Sequence, residues 1–265
     1  MIAEIVEGCV YQETLSIYKK CFFGATFFLL LGLAIFEVSG KHLQYSKFWN
    51  SGSKNSKKSL ISSKIGMLIF YTPALFACIS SFWLFPDGGI RFLLLKSAIT
   101  IHFLKRDLEV LFVHKFSAFT VLDSVIIISA TYFTAAVCMV YFHHQTQGLP
   151  EPSIDLKYLG LVLFLVGISG NFYHHYLLSK LRQKNDKGYK LPQGGLFSRV
   201  VCPHYLFEIT TFVGFSLISQ TIYSYLCAVG VAFYLLGRSY TTRNWYLSKF
   251  ENFPKSVKAL IPFVF

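Results

Sequence analysis

Charged residues are scarce in this chain of 265 residues. They make up 14% of it, whereas an average soluble domain carries about 25%. The charge is also one-sided, because 25 Lys and Arg stand against only 13 Asp and Glu, which gives a formal net charge of +12. Together with 54% apolar residues and a mean hydropathy of +0.49, this scarcity excludes a soluble globule of this size.

The sequence also lacks the short motifs of most soluble nucleotide-binding and hydrolytic folds. No G-x-G-x-x-G, G-x-x-x-x-G-K-[ST], H-E-x-x-H or G-x-S-x-G pattern occurs. The six Cys contain no C-x-x-C pair and mostly lie in or beside apolar segments. They are interpreted as small buried side chains, and neither a disulfide framework nor a metal site is predicted.

Long apolar runs make up most of what is present. They lie at 22–38, 65–85, 89–104, 123–143, 158–179, 205–219 and 221–237. Seven spans of about 20 residues would use roughly 140 positions, which leaves room for loops but not for a second domain. The sequence therefore predicts one all-α domain over 1–265, a polytopic membrane protein with about seven transmembrane helices. Between the last two runs, Ser219-Gln220-Thr221 fits either a tight hairpin or one bent helix.

Basic residues are concentrated in alternate loops. Segments 41–64, 105–122, 180–204 and 238–265 hold 20 of the 25 Lys and Arg. Cytosolic loops are enriched in Lys and Arg, so these segments and the carboxyl terminus are predicted to be cytosolic, with the amino terminus on the opposite side. The same topology explains the net charge. The bilayer is then the expected partner, and no nucleic-acid partner is predicted.

Polar side chains within apolar helices mark candidate sites, since each costs about 2.5–3.5 kcal/mol at mid-bilayer unless it is partnered. Glu208 follows His204 by four residues and Tyr205 by three, so the three share one helix face. Asn171 opens a second polar run that contains His174-His175. This pair is expected at the head-group level rather than on a metal, because helix neighbours point about 100° apart and no carboxylate is spaced to complete a site.

The loop at 180–199 combines cations with glycine. Arg182 and its neighbouring lysines offer charge to phosphates, and Gly194 and Gly195 allow a close backbone approach. From the residues alone two interpretations stay open. The loop either binds phosphate or carries cations that only set the topology.

Several stretches of the carboxyl half together resemble the steroid 5α-reductase family. They are Gly170-Asn171, Leu181-Arg182, GYKLPQGGLF (188–197), CPHYLFE (202–208), WYLSKF (245–250) and FPKSVKALIPFVF (253–265). In the amino half, HFLKRDLEVLFVHKFS (102–117) is similar to the very-long-chain enoyl-CoA reductase branch, and Gly40-Lys41-His42 also resembles the family. The resemblance covers most of residues 40–265.

This resemblance implies an NADPH-dependent reductase of the endoplasmic reticulum membrane, which reduces a C=C bond conjugated to a carbonyl in a lipid. The implied activity is of the 3-oxo-5α-steroid 4-dehydrogenase type. Residues 1–120 would form the substrate side, and 121–265 would hold the cofactor. By position, the implied cofactor-binding residues are Arg106, Asn171, Arg182, Tyr189, His204, Glu208, Arg238 and Tyr246.

The chain departs from the steroid branch where that branch binds its ligands. His175 replaces an Asp, and His204 replaces an Asn beside the nicotinamide. The Glu and Tyr that hold the substrate carbonyl correspond to Tyr71 and Phe103. These departures leave the steroid half of the resemblance weaker than the cofactor half.

The chemistry requires a donor to the carbonyl oxygen, where negative charge develops, and a proton for the α-carbon. Tyr71 is the candidate carbonyl donor, Tyr205 the candidate proton donor, and His204 an alternative to Tyr71. Other substrates stay open, namely a trans-2-enoyl-CoA of very-long-chain fatty-acid elongation and a polyprenal. A membrane methyltransferase that uses S-adenosylmethionine is the alternative from a different class.

Overall fold

The computed structural model describes residues 2–48, 59–116, 119–181 and 190–265, and helices dominate these ranges. In chain order they are α1 (Ile2–Gly8), α2 (Ile17–Val38), α3 (Ser63–Leu84), α4 (Gly89–Leu108), α5 (Leu122–His144), α6 (Lys157–Lys180), α7 (Pro203–Ser219) and α8 (Ile222–Lys249). Two short strands, β1 (Leu60–Ser62) and β2 (Phe119–Val121), pair antiparallel. The all-α prediction is confirmed, and α2 to α8 overlap the predicted apolar runs one by one.

Five helices of the described ranges, α2, α3, α5, α6 and α8, are long and apolar enough to cross a membrane. The remaining long helices are α4, which exposes Leu93, Ile101 and Leu104 along one side, and α7. Helix α4 buries Arg91, Lys96 and Arg106 and packs against α3, α5, α6 and α7. Helix α7 has 17 residues, none of them exposed. The chain is therefore a polytopic membrane protein whose apolar core also encloses charged side chains of α4.

The helices run alternately up and down, and this order gathers the basic loops at one end. The carboxyl ends of α2, α4, α6 and α8 meet the amino ends of α3, α5 and α7 there. We call this the basic end. The ribbon of β1 and β2 also lies at this end, where it leads into α3 and α5.

Helices α6 and α7 make the most extensive contact in the bundle, and a small residue permits it. A Cβ atom added at Gly214 would lie 2.6 Å from the backbone nitrogen of Phe164. Close backbone approach through small residues is a common mode of helix association in membranes. Further along the two helices, Asn171 Nδ2 donates to the His204 carbonyl at 2.8 Å, which holds the amino end of α7 against the later part of α6.

The turn between α7 and α8 is a tight hairpin, which decides between the two arrangements left open by the sequence. Gln220 adopts a left-handed conformation with φ 52° and ψ 29°. Its side chain is fully buried. The Nε2 atom donates to the Cys9 carbonyl at 2.8 Å and to the Ile154 carbonyl at 2.9 Å. The Oε1 atom accepts from Arg91 Nη1 at 2.7 Å and from Leu156 N at 2.8 Å. Gln220 thus joins the amino-terminal stretch, α4 and the α5–α6 loop at the end opposite the basic one.

Replacing Gln220 by Leu keeps most of the volume and removes all four hydrogen bonds. A buried polar group left without a partner costs about 1–3 kcal/mol, and Arg91 would lose one of its neutral acceptors. We expect Gln220→Leu to lower the free energy of unfolding by about 3–5 kcal/mol, measured by chemical denaturation in detergent micelles. Gln147→Leu is the control, because Gln147 is exposed and its side chain donates a single hydrogen bond within the described residues, to the Asp87 carbonyl. Equal stabilities of the two variants would contradict this role of Gln220.

Candidate active site

A cavity of about 770 Å³ opens at the basic end and extends toward the middle of the bundle. Four cations line it, and Glu208 is the one carboxylate that lines it among the described residues. The cations are Lys47, Arg106, Lys115 and Lys190. His114, His175 and His204 also contribute to its wall. The cavity therefore has an excess of positive charge, which suits an anionic ligand.

Many of the site residues predicted from the sequence meet in this cavity, although they come from four helices. Those that line it are Tyr71, Arg106, His204, Tyr205, Glu208 and Tyr246. Their approach follows from the helix order, since Tyr71 lies on α3, Arg106 near the end of α4, and the others at the facing ends of α7 and α8. Arg182 and Tyr189 lie outside the described residues.

Asn171 and Arg238 are buried behind the cavity wall rather than in it. Asn171 accepts a hydrogen bond from the Lys105 ammonium, and its Nδ2 donates to the His204 carbonyl at 2.8 Å. Arg238 Nη1 donates to both carboxylate oxygens of Glu37 at 2.8 Å. Both residues therefore position neighbours of the cavity, and their contact with a cofactor stays a prediction.

Arg106 is the centre of a polar network in the cavity wall. Its Nη2 donates to the Tyr71 hydroxyl at 2.5 Å, and its Nη1 donates to Glu109 Oε2 at 2.7 Å. The same Nη1 lies 2.8 Å from His175 Nδ1. Glu109 is 1% exposed and also pairs with Lys105 at 2.8 Å. The buried guanidinium is thus fixed in orientation and holds positive charge beside the Tyr71 oxygen.

The network contains one group of metal-ligating side chains. Ligand atoms of Glu109, His114 and His175 lie within 4.8 Å of one another. No carboxylate near His175 in the sequence is spaced to join it, but the turn of π-helix that extends α4 over Glu109–Val113 brings Glu109 to it. Arg106 already binds two of the three ligands, and its charge repels a second cation. We therefore interpret the group as the anchor of Arg106.

His174 and His175 are not an interfacial pair, because both are buried, at 3% and 5% exposure. His174 Nδ1 lies 2.7 Å from the Gly170 carbonyl, and its Nε2 accepts from Leu196 N at 3.1 Å. Gly195 has a φ of +51°, and a Cβ atom there would lie 2.7 Å from His174 Nε2. The Gly-Gly pair of the loop thus lets the chain close over His174.

Glu208 is held by a residue that the sequence did not single out. Tyr132 of α5 lines the cavity, and its hydroxyl donates to Glu208 Oε1 at 3.0 Å. Its ring centroid lies 5.4 Å from that of Tyr71 and 5.8 Å from that of Phe103. Phe103 does not line the cavity. The Tyr132 phenol therefore lies in the cavity next to Phe103, the position at which the steroid branch carries a Tyr.

Two titratable groups of the connecting segments have shifted pKa values. Burial, together with the nearby charge of Arg106, lowers the pKa of His114 to about 4. Burial lowers the pKa of Lys47 to about 8. At neutral pH, His114 is consequently neutral, whereas most Lys47 side chains still carry a positive charge.

Toward the middle of the bundle the cavity is apolar and reaches the outer surface of the protein. Its wall there includes Leu29 and Leu33 of α2 and Ile126 and Ile127 of α5. Leu29 and Ile126 are 56% and 58% exposed, so the cavity opens sideways between α2 and α5. The apolar part of the cavity thus adjoins side chains that are exposed on the outer face of the bundle.

The chain is similar to two kinds of known protein. Over 166 residues the chain is 33% identical to a very-long-chain enoyl-CoA reductase of Dictyostelium discoideum, which covers 62% of this chain and 55% of the relative. Over 126 residues it is 38% identical to the human 3-oxo-5-alpha-steroid 4-dehydrogenase 1, which covers 47% of this chain and 49% of the relative. The matches thus span about half the length of these relatives.

A sequence model of one family also matches the chain. The model of 3-oxo-5-alpha-steroid 4-dehydrogenase matches residues 115–265. This range includes α5 to α8, the loop closed over His174 and the carboxyl-terminal segment. It contains more than half of the chain, which therefore belongs to the 3-oxo-5-alpha-steroid 4-dehydrogenase family.

Proposed function

We propose that the protein catalyses the NADPH-dependent reduction of a C=C bond conjugated to a carbonyl in a membrane lipid, an activity of the 3-oxo-5-alpha-steroid 4-dehydrogenase type. The observation that carries the proposal is the polarity of the cavity. Four cations and one carboxylate line its basic end, and apolar side chains of α2 and α5 line its opening to the bilayer. An anionic dinucleotide fits the first part, and a lipid fits the second.

The residues present at the basic end fit a dinucleotide. His204 Nδ1 is buried without a hydrogen-bond partner among the described residues, and it lies in the wall of the cavity. His204, Glu208 and Tyr246 would hold the nucleoside parts, and the lining cations would hold the phosphates. Arg182 and Tyr189 are proposed as further contacts from the resemblance alone. When bound, NADPH supplies the hydride.

Tyr71 is proposed as the donor to the substrate carbonyl. Because its oxygen accepts the hydrogen bond of Arg106 Nη2, the Tyr71 proton is free to be donated into the cavity. The Arg106 guanidinium stabilises negative charge that develops on the phenol and carbonyl oxygens. Tyr205, also in the cavity wall, is proposed as the donor of the second proton, and His204 remains the alternative to Tyr71.

A trans-2-enoyl-CoA is the second candidate substrate, and two observations favour it. The match to the enoyl-CoA reductase is the longer of the two described above. The polar groups near Arg106 also differ from those of the steroid branch, which carries a Glu at the position of Tyr71 and a Tyr at that of Phe103. In this chain the groups are the hydroxyls of Tyr71 and Tyr132. A polyprenal would enter by the same opening between α2 and α5.

The cellular placement is likewise a proposal. The basic end carries most of the Lys and Arg of the loops, so we infer that it faces the cytosol, where NADPH is available. The endoplasmic reticulum membrane follows from the resemblance to the family. The division into a substrate side at 1–120 and a cofactor side at 121–265 also remains a proposal. Lys47 and Arg106 of the first part contribute cations to the same cavity.

The proposed function is tested with purified protein in detergent micelles or nanodiscs. NADPH oxidation is followed at 340 nm with a Δ4-3-ketosteroid and a trans-2-enoyl-CoA offered in parallel, and products are identified by mass spectrometry. We expect NADPH oxidation that depends on one of these enones and forms the saturated carbonyl product. Binding of S-adenosylmethionine without binding of NADPH would overturn the proposal in favour of the methyltransferase.

A further inference from the structure

Lys47 is a cation of the cavity wall that the sequence did not single out. It lies in the segment between α2 and β1, and its Nζ atom is 4.5 Å from the centroid of the Tyr246 ring and 5.3 Å from that of Trp245. Within the described ranges, Lys47 makes no ion pair with a carboxylate, and these two ring contacts are its close interactions. Its charge is therefore oriented but not neutralised.

The segment that carries Lys47 is fixed on both sides of it. Arg238 donates to the carbonyls of Leu43 and Tyr45, both at 3.3 Å, and its guanidinium lies between the Tyr45 and Phe48 rings at 4.3 and 4.4 Å. The Gln44 nitrogen donates to Ser124 Oγ at 2.8 Å. Arg238 is itself held by Glu37. This clamp holds the Lys47 side chain at the cavity.

A partly desolvated ammonium is costly unless an anion or an aromatic face compensates for its lost hydration. The Tyr246 and Trp245 rings supply part of this compensation, about 0.5–2 kcal/mol for such contacts. An anion close to the Lys47 ammonium would offset the rest of this desolvation cost. The described residues place no carboxylate there, whereas the phosphates of a dinucleotide are anions of suitable size.

We propose that Lys47 binds a phosphate group of the dinucleotide, so that the segment clamped by Arg238 forms one wall of the cofactor site. The inference rests on the proposed function, because it takes a dinucleotide as the ligand. It also gives Arg238 a positioning role, since this residue acts through the segment it holds.

The test measures the dissociation constant of NADP⁺ for the full chain in nanodiscs, by isothermal titration calorimetry. A hydrogen bond to a charged group contributes about 1.5–3 kcal/mol, so Lys47→Met should weaken NADP⁺ binding about 10- to 150-fold. Lys47→Arg should retain most of the affinity. Lys64→Met is the matched control, because Lys64 is an exposed cation near the basic end that does not line the cavity.

Parallel titration with NAD⁺ identifies the phosphate. Weakening for both dinucleotides indicates the pyrophosphate, and weakening for NADP⁺ alone indicates the 2′-phosphate. An NADP⁺ dissociation constant of Lys47→Met within about twofold of the wild-type value overturns the inference. Failure of the wild-type protein to bind NADP⁺ instead overturns the proposed function, and the inference with it.

A second measurement uses the wild-type protein and does not depend on the folding of a variant. Lysine acetylation by acetic anhydride is quantified by mass spectrometry with and without NADP⁺. We expect NADP⁺ to lower the acetylation of Lys47 at least fivefold while that of Lys64 is unchanged. Equal acetylation of Lys47 in both samples contradicts a phosphate contact.

Discussion

Tyr71→Phe is expected to lower the turnover number about 10²- to 10³-fold while the affinity for NADPH changes little. The substitution removes one hydroxyl and almost no volume from a residue that is 4% exposed. Arg106 keeps its ion pair with Glu109 at 2.7 Å, so the rest of the network in the cavity wall remains. What is lost is the proton that Tyr71 offers to the substrate carbonyl. Steady-state rates with each enone, and NADP⁺ binding, separate the two effects.

Tyr223→Phe is the control for this prediction. Tyr223 is also buried, but it packs in the apolar core and does not line the cavity, so full activity is expected. If Tyr71→Phe retains wild-type turnover on every enone that the protein reduces, the carbonyl is held elsewhere. His204 or Tyr205 would then be the next residue to replace.

Glu208→Gln is expected to weaken NADPH binding about 10- to 150-fold, with normal membrane insertion. Gln retains an acceptor for the Tyr132 hydroxyl, so the loss reports the charge of the carboxylate rather than its shape. Equilibrium binding of NADP⁺ measures the effect. Glu251→Gln is the control, because Glu251 is exposed in the segment that follows α8.

Tyr132→Phe tests whether the phenol acts through Glu208. If it does, Tyr132→Phe weakens binding in the wild-type background and has a much smaller effect when Glu208 is already Gln, because interacting residues are not additive. If Glu208→Gln binds NADP⁺ with the wild-type affinity, the Glu208 carboxylate does not bind the cofactor and its role is structural. Equal effects of Tyr132→Phe in both backgrounds would show that Tyr132 acts independently of Glu208.

Local features of the sequence predicted the framework of the protein well. The apolar runs that correspond to α2 to α8 are 15 to 22 residues long, and each can be recognised without reference to the rest of the chain. Runs of about this length are expected because they match the thickness of the hydrocarbon core of a bilayer. The spacing of His204 and Glu208 likewise predicted a shared face, and both line the cavity. Such inferences need only the geometry of one helix.

Features set by packing between distant segments were not predictable in the same way. Tyr132 is one of 16 Tyr, and only the contact of α5 with α3 brings it to Tyr71. Lys47 belongs to a loop whose cations are sufficiently explained by topology. The ribbon of β1 and β2 is too short, at three residues a strand, to show an alternating pattern. His175 could be connected to Glu109 only through the packing of α6 against the end of α4.

The buried contacts of Gln220 impose an order on biogenesis. Arg91 enters the membrane with α4, but Gln220 lies about 130 residues further along the chain. The carbonyl of Cys9 and the nitrogen of Tyr11 find their partners on Gln220 as well. Until the ribosome has delivered the α7–α8 hairpin, the amino-terminal stretch and the Arg91 guanidinium therefore lack these bonds. In a chain that stops before the hairpin, Arg91 keeps, among its described hydrogen-bond partners, only the carboxylates of Glu151 and Asp155.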